Sequence, residues 1–232
     1  MGLKIDIGCG SKKKDGCLGI DYIHSPDVDY VLDVTHERLP FEDESVEYIY
    51  SSHFLEHIDT PYHLFKEIAR VCCDRAKIEI WTPYAFSNMA FFYGHKAFLT
   101  EEIWLRFCYN DRDTFVDFLQ GRWLLKQINY VVLPQVQQDI EQQGVTLDFA
   151  IKYLKSVVFE FGVEIEFRKA LDTAPILPQK TYSHIREGER FPLPSFDMHV
   201  HDPATPQTFL YRVVMLLQRM LWKARQWSQE RM

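Results

Sequence analysis

Residues 1–10, Met1-Gly2-Leu3-Lys4-Ile5-Asp6-Ile7-Gly8-Cys9-Gly10, decide how this chain is read. Leu3 to Ile7 has the makings of a short buried strand, and it runs directly into Gly8-Cys9-Gly10. A glycine pair after a strand lets backbone come close to a ligand, because no Cβ stands in the way. Working outward, Cys17 to Ile20 predicts a second short strand closed by Asp21, eleven residues after Gly10. Asp29 to Leu32 predicts a third, closed by Asp33. A crossover between parallel strands usually takes roughly twelve residues and a helix. The link through Ser11, Lys12, Lys13, Lys14 and Asp15 is shorter, so the first helix is expected to shrink to a turn or two.

Leu39-Pro40-Phe41 and the acids Glu42, Asp43 and Glu44 lead to a fourth strand around Tyr48-Ile49-Tyr50, ending at Ser51-Ser52. Pro61 suits the first position of a helix, with Asp59 or Thr60 as its cap. Leu64, Ile68 and Val71 repeat at helical spacing and should face a sheet, and Cys72 and Cys73 should close the helix. Ala76 to Thr82 is a fifth strand, stopped by Pro83. This alternation implies an α/β fold with a mostly parallel sheet and right-handed crossovers. Such sheets bind ligands beyond the carboxyl ends of their strands. Gly8, Gly10, Asp21, Asp33, Ser51 to His53 and Thr82 to Tyr84 all fall at those ends.

Further along, residues 84–128 are expected to form a helical lid inserted after strand five, with helices starting near Thr100 and spanning Asp111 to Leu119. Tyr130 to Leu133 reads as a strand. Phe149 to Phe161 reads as a helix closed by Gly162, and Val163 to Phe167 as a strand. Residues 172–195 read as a surface loop and Phe196 to Val200 as a last strand. Residues 205–232 are expected to hold an amphipathic helix at the end of a single 1–232 domain. Its apolar face suits packing on its own domain, a homodimer contact or a membrane surface.

Composition narrows the function. The 232 residues are 47% hydrophobic and 15% aromatic, which suits a packed domain and excludes disorder. The net charge of −7 argues against nucleic acid as a partner. Five cysteines in no zinc spacing suggest free thiols in a reducing compartment. The expected location is the cytoplasm, with a peripheral membrane position as its variant.

The ordered pieces Asp6-Ile7-Gly8-Cys9-Gly10, Gly19-Ile20-Asp21, Leu32-Asp33-Val34, Leu39-Pro40-Phe41-Glu42-Asp43 and Tyr50-Ser51-Ser52-His53-Phe54-Leu55-Glu56-His57-Ile58 closely resemble the class I S-adenosylmethionine-dependent methyltransferases. The similarity is greatest to small members with a Leu-Glu-His-Ile type segment after strand four, and it covers about residues 3 to 83. The resemblance implies a Rossmann-like sheet with S-adenosyl-L-methionine as cofactor. It implies that Gly8, Cys9 and Gly10 lie beside the methionine portion and that Asp6 organises their turn. It gives Asp21 the ribose hydroxyls and Asp33 with Val34 the adenine, and it sets Ser51, Ser52 and His53 where they line both cofactor and acceptor. The acceptor implied is a small molecule with an oxygen or nitrogen nucleophile, such as a sugar, a lipid-linked compound or a carboxylate. A binding module that kept the cofactor site without catalysis is the alternative.

Methyl transfer is an in-line displacement, so the protein chiefly positions its reactants. An oxygen or nitrogen acceptor can need a base; a carboxylate does not. Candidate acceptor-side residues are His53, directly after strand four, Tyr84, after strand five, and His95, in the expected lid. His57 is read as structural. His53-Phe54-Leu55-Glu56-His57 also matches the H-x-x-E-H zinc-peptidase pattern, which needs a helix and a third ligand. The strand before it explains the context better, and no metal is expected. Lys12 to Lys14 is read as a solvated loop, with a phosphorylated acceptor as the sharper alternative.

Overall fold

The structure is a computed structural model, and it describes residues 2–184. Among the described residues, eight strands form one sheet: β1 (Leu3–Ile7), β2 (Leu18–Asp21), β3 (Tyr30–Val31), β4 (Val46–Ser52), β5 (Cys72–Pro83), β6 (Arg122–Val131), β7 (Glu160–Arg168) and β8 (Gln179–Ser183). Their order is β3-β2-β1-β4-β5-β7-β6-β8. β3, β2, β1, β4 and β5 are parallel. β7 runs antiparallel between β5 and β6, and β8 adds parallel to β6. This is the expected mostly parallel, Rossmann-like class I methyltransferase sheet, with a helical insertion after strand five.

α1 (Tyr62–Val71) covers one face of the sheet. Leu64, Phe65 and Ile68 meet Ile7, Ile49, Ile78 and Ile80, all buried. The helix enters through Pro61, which is the cap itself and not the first helical residue, and no side chain caps it. At its far end Val71 passes straight into Cys72 of β5. Cys72 and Cys73 therefore open a strand and do not close the helix. On the same face, Phe65 packs on Phe107, Phe118 and Trp123, which ties the insertion to the parallel half.

An ion network that runs from buried Glu67 to exposed Asp43 holds the Leu39–Asp43 segment. Glu67 accepts from Leu39 N–H at 2.8 Å and from Arg70 Nη2 at 2.6 Å. Arg70 also donates to the Leu39 and Phe41 carbonyls and to Asp43. Burial alone pushes the Glu67 carboxyl up, but the Arg70 and Leu39 hydrogen bonds outweigh it and hold it below the usual range.

The link between β1 and β2 is more extreme than expected: turns carry it and no helix forms. The insertion contains α2 (Glu101–Leu105), which runs into a π-helical turn at Arg106–Asn110, and α3 (Val116–Leu119). Because β6 begins at Arg122, the helical stretch ends earlier than the expected 128, and α3 is much shorter than Asp111 to Leu119. Of the strand expected at Tyr130 to Leu133, Tyr130 and Val131 are the tail of β6, and Leu133 caps the helix that follows. α4 (Pro134–Gln142) was not foreseen. α5 (Leu147–Tyr153) replaces the long helix expected over Phe149 to Phe161: Ser156 takes a left-handed φ of 61°, and Gly162 lies within β7. β8 lies in the stretch expected to be loop. The strand expected at Phe196 to Val200 and the helix at 205–232 lie outside the described residues.

Candidate functional site

The parallel strands bring Ile7, Asp21 and Ser52 to one edge. The antiparallel course of β7 brings its first residue to that same edge, where Glu160 stands opposite Pro83 and Val131. The edge therefore has two parts.

The first part is the glycine turn. Gly8 and Gly10 both have positive φ, 71° and 58°, which glycine adopts without cost. They differ in surroundings. A Cβ on Gly8 would stand 2.2 Å from Phe54 Cγ, whereas one on Gly10 meets nothing within 4 Å. Room for a ligand lies at Gly10; at Gly8 the missing side chain admits Phe54. Gly10 N–H donates to Asp21 Oδ2 at 2.8 Å, and Ile23 N–H donates to Asp21 Oδ1 at 3.0 Å. The acid after β2 thus pins the turn after β1. Buried Asp6 accepts from Lys14 N–H at 2.7 Å and fixes the same loop from beneath. Cys9 is buried, with its Sγ toward the Asp27 carbonyl. Two of the three loop lysines are engaged: Lys13 pairs with Asp29 at 2.6 Å, and Lys14 Nζ sits over the Tyr50 ring.

Asp33 faces its own turn. Its carboxylate accepts from Thr35 N–H and Oγ1 and contacts His36 Nδ1 at 3.0 Å. The hydrogen bonds from Thr35 and then His36 hold it down at about 2. Val34 beside it is buried. Ser51 Oγ donates to the Ile7 carbonyl at 2.9 Å and so stitches β4 to β1, and Ser52 is buried next to it.

The second part is a buried charge cluster. His53 has a φ of 51°, uncommon outside glycine, as the chain leaves β4. Its Nε2 lies 2.8 Å from Glu160 Oε2 and its Nδ1 3.4 Å from Glu56 Oε1. Glu160 is 0% exposed and Glu56 2%. Burial alone pushes the imidazole down, but the hydrogen bonds and charges of Glu160 and Glu56 raise it to about 9. Tyr84 is buried against Phe161, Tyr130 and Phe86. Burial, and then Glu101, push its phenol up. His95 turns its Nδ1 to the Ala90 carbonyl at 3.1 Å, and its ring meets His57 edge-on at 4.7 Å.

Sequence reasoning gave no role to Glu160 or Phe54. The signal for Glu160 was a lone carboxylate inside the apolar run Val157 to Phe161. Phe54 carried no comparable signal.

A family model described as "Methyltransferase domain" matches residues 20–78, a minor part of the chain that leaves out the glycine turn. No curated protein matches the sequence. Solved structures are similar at low identity. One titled a SAM dependent methyltransferase from Archaeoglobus fulgidus has 13% identity, covers 71% of this chain and 86% of its own, and gives a TM-score of 0.49. One from Mesorhizobium loti, titled an S-adenosylmethionine dependent methyltransferase, has 15% identity over 71% and 91%, with a TM-score of 0.42. A putative S-adenosylmethionine dependent methyltransferase from Listeria monocytogenes has 14% identity over 72% and 91%, with a TM-score of 0.42.

Proposed function

We propose that this chain is an S-adenosyl-L-methionine-dependent methyltransferase acting on an oxygen or nitrogen of a small-molecule acceptor. One observation carries the reading: the Asp21 carboxylate holds the Gly10 N–H at 2.8 Å, and open space lies on the side of Gly10 where a Cβ would stand. The cofactor, when bound, supplies an electrophilic methyl group on a sulfonium.

The residues present fit that group at the glycine turn. A carboxylate offers about four lone-pair sites, so Asp21 keeps capacity for the ribose hydroxyls while pinning the turn. Gly10 lines the methionine end, Gly8 and Cys9 shape the turn behind it, and buried Asp6 keeps their loop in place. Val34 supplies apolar contact for the adenine. Asp33 fits its part less well, because Thr35 and His36 already occupy its carboxylate. An adenine amine would have to displace His36, which is exposed.

On the acceptor side, Ser51 shapes the edge through its bond to β1, with Ser52 beside it. His53, held between Glu160 and Glu56, fixes the turn after β4 beside the acceptor. Tyr84 excludes water from that end, and His95 lies beyond it in the insertion. The acceptor stays a small molecule and not a nucleic acid, in keeping with the net charge of −7. The cytoplasm is the proposed place of work.

A binding module without catalysis is the second reading. It draws on the geometry of the candidate bases, since His53 is hydrogen-bonded to Glu160 and Tyr84 is only 4% exposed. Turnover decides between the readings. Purified full chain with S-adenosyl-L-methionine and a panel of sugar, lipid-linked and carboxylate acceptors should release S-adenosylhomocysteine with at least one acceptor. Tight cofactor binding with no release across the panel would favour the module.

A further inference from the structure

We propose that Glu56, His57 and His95 form a site for a divalent transition-metal ion of the Zn2+ class, which fastens the segment around His95 to the turn after β4. One ligand atom from each residue lies within 4.8 Å of the other two. Two imidazoles and a carboxylate are donors that suit Zn2+ and its borderline neighbours and do not suit Mg2+ or Ca2+. At metal–ligand distances of about 2.1 Å, tetrahedral ligand atoms stand about 3.4 Å apart, so closure asks each side chain to move by about an ångström or less.

Three further observations point to a cation at this place. Two buried carboxylates, Glu56 and Glu160, share one imidazole, and Glu56 is the farther of the two, 3.4 Å from His53 Nδ1 against 2.8 Å for Glu160 from Nε2. One imidazole cannot balance two buried carboxylates, and a cation beside Glu56 would supply the missing charge. Each histidine turns its Nδ1 to a backbone carbonyl, His57 to Gly94 at 3.4 Å and His95 to Ala90 at 3.1 Å. That favours the tautomer with Nδ1–H and leaves the Nε2 lone pair for a metal, as in many histidine metal sites. The two elements are also fixed together by backbone: Lys96 and Ala97 N–H groups donate to the Glu56 carbonyl at 2.7 and 3.1 Å. His57 is exposed, so a fourth position opens to solvent.

This set is not the H-x-x-E-H peptidase arrangement. The segment is a 3-10 turn, Leu55–His57, and His53 is turned to Glu160. The site also stands independently of the methyl-transfer reading, and its test uses no activity.

Full-length chain, stripped with a chelator, is titrated with Co2+ and followed by visible absorption, and Zn2+ is then added in competition. One Co2+ should bind per chain, with the absorption of a four- or five-coordinate ion, and Zn2+ should displace it. His57→Ala and His95→Ala should each weaken binding at least about tenfold. His63→Ala, and a double variant His199→Ala/His201→Ala, should leave it unchanged. Because Glu56 is buried, Glu56→Gln is read only alongside the two histidine variants. As an independent readout, Zn2+ should raise the melting temperature of the wild type and not of His95→Ala. Wild-type affinity in either histidine variant, absence of the cobalt spectrum, or loss of binding in the His199/His201 variant would overturn the proposal.

Discussion

The two parts of the sheet edge solve opposite problems with similar residues. At the β1–β2 end, Asp21 and Asp33 are partly or fully exposed and spend their carboxylates on backbone N–H groups and neighbouring polar side chains in tight turns. At the β4–β7 end, Glu56 and Glu160 are buried and face one imidazole. An acid that holds a turn at the surface keeps lone pairs for a ligand and adds little to stability. A buried acid needs its counter-charge for the fold to stand. Changes to the acids of the first end should therefore show in binding, and changes to the cluster at the second in stability.

The largest effect should come from His53→Ala, which leaves Glu56 and Glu160 buried without their imidazole. Breaking a buried pair from one side costs about 3–5 kcal/mol, read here as a fall in the urea midpoint. A loss below about 1 kcal/mol would break the contrast between the two ends.

Next comes the glycine turn. Gly8→Ala drives a Cβ into Phe54 in a left-handed conformation and should cost about 3 kcal/mol. Gly10→Ala meets open space and should cost only about 1–2 kcal/mol, from its backbone alone. Equal losses in denaturant unfolding would mean that the room is not at Gly10.

Glu67→Gln sharpens the comparison from within the core. Losing its charged hydrogen bonds to Arg70 should cost about 2 kcal/mol at neutral pH. Because the folded Glu67 carboxyl is held low, its contribution is present above the ordinary carboxylate value of about 4.3 and is lost as pH falls through its folded value. The difference in unfolding free energy between wild type and variant should shrink over that acid window. A difference that stays constant down to the end of the window would contradict the ion network.

The smallest stability effect should be that of Asp21→Ala, about 1 kcal/mol from two turn hydrogen bonds. Thermal unfolding would check it.

The uneven legibility of the chain has the same physical roots. The β1 to β5 half was readable because Gly8, Asp21, Asp33 and Pro83, residues with strong local preferences, stand at or just past the ends of four of its five strands. β6 was absorbed into the expected helical insertion because an irregularity between Leu125 and Gln127 breaks its two-residue alternation. α4 hides because only Val136 and Ile140 mark an apolar stripe in Pro134–Gln142. β8, Gln-Lys-Thr-Tyr-Ser, is a polar strand at the edge of the sheet whose place comes from pairing with β6, a tertiary cause that leaves no local pattern. At the site, Asp6 and Asp21 were legible by position. That Asp33 would turn on Thr35 and His36, and that Glu160 would reach His53 from 107 residues away, could come only from the fold.

Calorimetry with S-adenosylhomocysteine on the full-length chain, wild type beside Asp21→Ala, tests the central claim most directly. The account predicts saturable one-to-one binding to the wild type, weakened at least about tenfold in the variant, which amounts to about 1.4 kcal/mol or more, with its fold intact. No heat with the folded wild type, or equal affinity in both proteins, would contradict it.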